Sequence, residues 1–103
     1  MHAVLITFRS SVAAEDLREE FLAVAPAIGA VPGLLSKTWL RQGATLAGFY
    51  LFADADAARA YLDGEIIAET RAVPAFTDFR VEEFAVLDEF SAITRGLPEL
   101  AVR

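Results

Sequence analysis

Val4-Leu5-Ile6-Thr7-Phe8 is a short apolar, β-branched run that ends at the polar Arg9-Ser10-Ser11, the pattern of a strand. From about Ala13 the period lengthens. Leu17, Phe21, Val24 and Ile28 recur at spacings of four, three and four, which puts them on one face of a helix. Glu15 and Asp16 fall in its first turn, where carboxylates favour the helix dipole. Pro32-Gly33 stops the helix, because the residue before a proline avoids the α region. Leu34–Gln42 and Thr45–Ala53 read as two strands flanking Gly43-Ala44, a hairpin signal. Asp54 is placed to cap a second helix that runs through Ala58, Tyr61 and Leu62, breaks at Gly64, resumes through Ile66, Ile67 and Thr70, and ends before Pro74. Phe76–Val86 is the last strand, with Phe79 and Val81 on one face and Asp78, Arg80 and Glu82 on the other. Phe84 and Val86 then fall on the charged side, which predicts a bulge near Glu83. The apolar residues beyond Asp88, which are Phe90, Ile93, Leu97 and Leu100, are too few to form a core of their own.

The order β-α-β-β-α-β is the split pattern of a ferredoxin-like α+β fold: a four-stranded antiparallel sheet with two helices on one face. Residues 1–88 form that domain, and residues 89–103 form a tail expected to dock on it or on a partner subunit. Two helices cover only one face of the sheet. Yet the hairpin is apolar on both, since Phe49 and Leu51 alternate with Tyr50 and Phe52. Packing against the sheet of an identical subunit would bury the second face, so a homodimer is expected.

Composition narrows the function. At 103 residues and 55% hydrophobic, the chain is one folded domain rather than a disordered segment. Nine basic residues against fifteen acidic give a net charge of −6, and the basic ones are scattered singly. Nucleic acid and anionic membrane surfaces, which need clustered Lys and Arg, are therefore not expected as partners. No apolar run approaches the roughly 20 residues of a membrane span, and no basic residue precedes the apolar stretch at Met1–Phe8 as in a signal peptide. A cytoplasmic protein is the expectation. With no cysteine there is neither a disulfide framework nor thiolate chemistry.

The hairpin carries the candidate chemistry. With Gly43-Ala44 as a two-residue loop, Trp39 lies opposite Gly48, Lys37 opposite Tyr50 and Leu35 opposite Phe52, all on one face, and Gly48 leaves room for the indole. Ser36, Thr38, Leu40, Ala47, Phe49 and Leu51 share the other. Lys37 is the only lysine. Desolvated, it could serve as a base or hold an anionic oxygen, whereas with its stem on Trp39 and its head in water it would be structural. Trp39 and Tyr50 read on residue type more readily as core aromatics than as ligand contacts. His2, the only histidine, stands next to the terminus and is read as solvated surface. No His–carboxylate cluster has metal-ligand spacing, so no metal is expected. Glu82 and Glu83 point to opposite faces of a strand and cannot act as a pair. Ser10, Ser11 and Ser91 have no histidine placed to activate them, and the glycines form no phosphate loop.

Pro32-Gly33-Leu34-Leu35-Ser36-Lys37-Thr38-Trp39, Ala47-Gly48-Phe49-Tyr50-Leu51-Phe52 and Ala58-Arg59-Ala60-Tyr61-Leu62 together resemble the YdhR-like mono-oxygenase family of the dimeric α+β barrel superfamily. The opening strand and Phe90-Ser91-Ala92-Ile93-Thr94 extend the resemblance over most of the chain. The loop between the second and third strands is shorter here than in some relatives, and Ser36 replaces a bulkier residue. The resemblance implies a homodimer and an oxygenase that needs no metal, flavin, haem or other cofactor, as in related quinol and anthrone oxygenases. It carries over Lys37, Trp39 and Tyr50; in the mechanism expected from them Lys37 and Tyr50 are catalytic, and Trp39 and Phe52 enclose a small electron-rich aromatic molecule such as a hydroquinone or polyphenol. The competing readings are a non-catalytic dimeric module that binds a small aromatic or lipophilic metabolite, and an isomerase or decarboxylase of an aromatic intermediate. The sequence leaves open whether the Lys37 face meets the helices or the dimer interface.

Overall fold

The computed structural model describes residues 1–98, so Leu100 lies outside the described residues. Its elements are β1 (His2–Ser10), a 3-10 turn (Ala14–Leu17), α1 (Arg18–Gly29), β2 (Leu34–Gln42), β3 (Thr45–Phe52), α2 (Ala55–Leu62), α3 (Glu65–Arg71), β4 (Phe76–Ala85) and a short α4 (Asp88–Ile93). The sheet is antiparallel with strand order β2-β3-β1-β4, and α1, α2 and α3 pack on one side of it. This is the ferredoxin-like α+β arrangement that the alternation of periods predicts.

Local chemistry explains the junctions. The Asp54 carboxylate accepts a hydrogen bond from the Ala57 amide at 2.8 Å and so caps α2. Gly64 separates α2 from α3, as expected. Gly33 ends the α1–β2 turn at φ +81°, and a Cβ there would lie 2.5 Å from Cβ of Ala57. Its carbonyl also accepts from the Ala53 amide at 2.8 Å. Pro32-Gly33 therefore sets the distance between the hairpin and α2.

Two expectations of register are corrected. No bulge lies at Glu83, because β1 and β4 pair regularly from His2–Ala85 to Thr7–Arg80. The irregularity comes after that point, where Arg9 pairs with Thr77, leaving one extra residue on β4. Asp78 takes φ +58° there, in the left-handed region that a short polar side chain tolerates. The extra residue brings both Phe76 and Phe79 against Phe8, at ring-centroid distances of 4.6 and 4.9 Å. Phe84 follows the normal alternation onto the helix-free face and is 47% exposed. In the hairpin, Lys37 pairs with Tyr50 and Trp39 with Gly48 as expected, but Leu34, not Leu35, pairs with Phe52. Ser36 already pairs with Leu51, so Leu35 is the unmatched residue just beyond the tight Gly33 turn.

The core gathers Val4, Ile6, Ile28, Tyr50, Phe52, Ala58, Tyr61 and Ile67. The helix-free face keeps Leu40 and Phe49 exposed beside Phe84. Among the described residues no helix is long and apolar enough to cross a membrane.

Candidate functional site

Between the helices and the sheet lies a cavity of about 430 Å³, a size typical of small-molecule pockets. It changes the meaning of the α1 stripe. Leu17 and Ile28 are buried, but Phe21 and Val24 are only half-buried, because this face of the helix is a wall of the cavity and not solid core. Phe8, Phe76 and Phe79, brought together by the β4 bulge, line the far end. The lining is overwhelmingly apolar; Glu20, Arg41, Glu69 and Arg71 supply its charged groups besides Lys37. Arg41 pairs with Glu15 across β2 and the 3-10 turn, while the Arg71 guanidinium lies 5.1 Å from the Phe79 ring centroid.

The open question of orientation has a definite answer: Lys37, Trp39 and Tyr50 all face the helices and line this cavity. Trp39 is 41% exposed and packs on Phe21 with centroids 5.1 Å apart, so it stands at the mouth. The Lys37 ammonium lies 3.5 Å from the Trp39 ring centroid and 4.8 Å from that of Tyr50. Both distances suit cation–π attraction. Among the described residues no carboxylate comes within ion-pair distance of it. Burial pulls the Lys37 pKa down from 10.5 to about 8, since the apolar surroundings disfavour the charged form.

Gly48 is needed here for the close packing of its neighbours. A Cβ at this position would come within 2.8 Å of Cε1 of Tyr50 and 3.0 Å of Cε of Lys37. The space it leaves is filled by those two side chains. Phe52 is fully buried and does not line the cavity. It stacks behind Tyr50 at 6.0 Å and against Tyr61 at 5.6 Å.

Tyr61, which the sequence reading assigned only to a helix, also lines the cavity. Its hydroxyl donates to that of Tyr50 at 3.2 Å. A signal for it existed. The chain has only two tyrosines, and a buried tyrosine on a core-facing helical stripe must find a partner for its hydroxyl. Burial pushes the pKa of Tyr50 far above the ordinary phenol value, and the proximity of Tyr61 raises it further. Tyr61 is raised as well, by burial. Both therefore remain neutral hydroxyls, able to donate a hydrogen bond but not to act as bases near neutral pH.

His2 lies at the sheet's end, where it is more sheltered than expected. Its Nε2 is 2.9 Å from the Glu83 carboxylate, across neighbouring strands. Among the described residues no three His, Cys, Asp or Glu side chains group as metal ligands. Leu87, and Phe90 and Ile93 of the tail, are exposed, and the terminal ammonium lies 3.5 Å from Asp88.

The sequence profile of the family described as putative mono-oxygenase ydhR matches residues 4–97. No functionally curated protein matches the sequence. Among solved structures, the chain is similar to NE2512, a protein of unknown function from Nitrosomonas europaea, at 26% identity and a TM-score of 0.69, over 84% of this chain and 88% of that one. It shares its fold with SnoaB, a cofactor-independent oxygenase from Streptomyces nogalater, at 19% identity and a TM-score of 0.66, over 82% and 91% of the two chains. It shares it too with MhuD, a heme-degrader from Mycobacterium tuberculosis with two hemes bound in its active site, at 21% identity and a TM-score of 0.67, over 84% and 96%.

Proposed function

The chain belongs to the putative mono-oxygenase ydhR family, and from that premise we propose that it is a cofactor-independent mono-oxygenase of a small electron-rich aromatic such as a polyphenol. One observation carries the reading: an apolar cavity in which a lysine with no carboxylate partner among the described residues packs beside a tyrosine ring over a glycine that has no room for a side chain. The fold it shares with a cofactor-independent oxygenase supports the same class of chemistry.

Phenolate formation is the enabling step. A neutral phenol transfers an electron to O2 poorly, whereas the phenolate is far more reducing. The Lys37 ammonium stabilises that phenolate, and in its neutral form it takes up the phenol's proton. The two forms exchange near pH 8, where Lys37 titrates. One electron then passes from phenolate to O2, giving a phenoxyl radical and superoxide. Their recombination forms a C–O bond at a ring carbon that carries hydrogen. Loss of that hydrogen with cleavage of the O–O bond leaves a quinone and water. One oxygen atom enters the substrate, the other leaves as water, and all electrons come from the substrate. Water exclusion and fixed charge are what the protein contributes. Tyr50 donates to the phenolate oxygen, and Trp39 covers the ring. Phe52 acts from behind by fixing Tyr50.

The working unit in this proposal is a cytoplasmic homodimer paired through the helix-free sheet face, with the tail from residue 89 docked on the domain or on the partner. In the Lys37→Met variant, turnover of the aromatic should fall by about a hundredfold while its Kd rises by less than about tenfold. Equal losses in both would assign Lys37 to binding alone.

A further inference from the structure

We propose that Tyr61 is a positioning residue of this cavity: its hydroxyl holds that of Tyr50, so that a tyrosine O–H and the Lys37 ammonium converge on the single oxygen of an aryl oxyanion. The inference rests on the reading of the Lys37 cavity as the substrate site and specifies what that site recognises.

The geometry of the two tyrosines is fixed by packing. Their rings are 5.1 Å apart at a tilt of 46°, and both press on Phe52, which is wholly buried. Gly48 removes the one Cβ that would displace the Tyr50 ring. The hydroxyls then share one hydrogen bond, at 3.2 Å. Two hydroxyls sharing one bond always keep one O–H free, whichever way the shared bond runs. With Tyr61 donating, the free proton is on Tyr50, the ring beside which the Lys37 ammonium lies. Without Tyr61, the Tyr50 hydroxyl would rotate freely and lose the donor that polarises it.

The same arrangement favours one class of anion. The ammonium and the hydroxyl supply donors at one end of a wall that is otherwise aliphatic and aromatic around Phe21, Val24 and Ile28. A phenolate places its charge on one oxygen and lays its ring along that wall. A carboxylate has a second charged oxygen, to which Phe21, Val24 and Ile28 offer no donor, and the guanidiniums of the lining are already engaged, Arg41 with Glu15 and Arg71 over the Phe79 ring. The ligand class is thus an aryl oxyanion in preference to an aryl carboxylate.

The test uses 4-nitrophenol, whose phenolate has its own visible absorption band, with 4-nitroanisole as the uncharged analogue and benzoate as the carboxylate. Wild type should bind 4-nitrophenolate and lower the phenol's pKa, so that the phenolate band grows at a fixed pH when protein is added. Tyr61→Phe should weaken phenolate binding about fivefold and return the bound pKa towards the free value. It should change 4-nitroanisole binding by less than about twofold. Tyr50→Phe, which keeps the ring and removes the direct donor, should cost the phenolate about tenfold or more. It reports on the same bond if Tyr61→Phe folds poorly. Benzoate should bind about tenfold more weakly than the phenolate. The proposal is overturned if Tyr61→Phe shifts phenolate and anisole equally or shifts neither, or if benzoate binds as tightly as the phenolate. Phenolate binding with these ratios but no oxygen consumption on any phenol would leave the inference standing and remove the oxygenase reading. Oxygen consumption with unchanged ratios would do the reverse.

Discussion

Lys37 illustrates how one residue's stability cost and its function are coupled. Its ammonium sits among aromatic faces with a pKa lowered to about 8, so the charged form is disfavoured in the fold relative to water. Below pH 8 both folded and unfolded chains carry the proton, and the full desolvation cost is present. Between about 8 and the unfolded value of 10.5 the folded chain releases its proton while the unfolded chain keeps it, so the cost is relieved as pH rises. Lys37→Met should therefore be more stable than wild type by about 1–2 kcal/mol at neutral pH. Thermal melts across the pH range should show that gap closing above pH 8. A gap independent of pH would mean that Lys37 is not desolvated. Gly48→Ala makes the complementary prediction. The new methyl would strike Tyr50 and Lys37, costing about 1–3 kcal/mol and removing aromatic-ligand binding, which calorimetry can check.

At the scale of elements, the alternation of hydrophobic periods made the order of strands and helices legible, down to the Asp54 cap and the Gly64 break. The Lys37–Tyr50 and Trp39–Gly48 pairings followed from a two-residue loop. What stayed hidden had a common cause. Periodicity says which residues face inward, but not whether the space inside is filled. The α1 stripe therefore read as core, although Phe21 and Val24 border a cavity. The β4 bulge escaped because its carrier is Asp78 at φ +58°, a conformation that glycine usually marks. Asp78→Gly should accordingly keep the bulge and be neutral or slightly stabilising. Asp78→Val, which is β-branched and strained at positive φ, should lower stability by about 1–3 kcal/mol. Chemical denaturation of the two variants tests this, and equal stability would contradict the bulge. Tyr61 was missed because its importance depends on the helix lying across Tyr50, a tertiary fact.

On the whole-molecule scale, the sheet has one face closed by helices and another that leaves Leu40, Phe49 and Phe84 exposed. A chain that is 55% hydrophobic and this small leaves apolar surface over unless a partner covers it. The proposed dimer predicts that sedimentation at micromolar concentration gives twice the chain mass. Phe49→Arg should shift it to a monomer, since a charge would then be buried against its symmetry mate. A monomeric wild type would contradict the dimer while leaving the cavity, built within one chain, intact.

In the proposed reaction the protein itself, with a phenolic substrate and O2, carries out oxygenation. Oxygen consumption by purified, metal-stripped protein on a panel of hydroquinones, naphthoquinols and anthrones tests it most directly. Uptake above autoxidation is expected for at least one of them, with water and an oxygenated product formed, and is expected to be lost in Lys37→Met. Uptake that appears only after metal, flavin or heme is restored, or that survives in Lys37→Met, would contradict it.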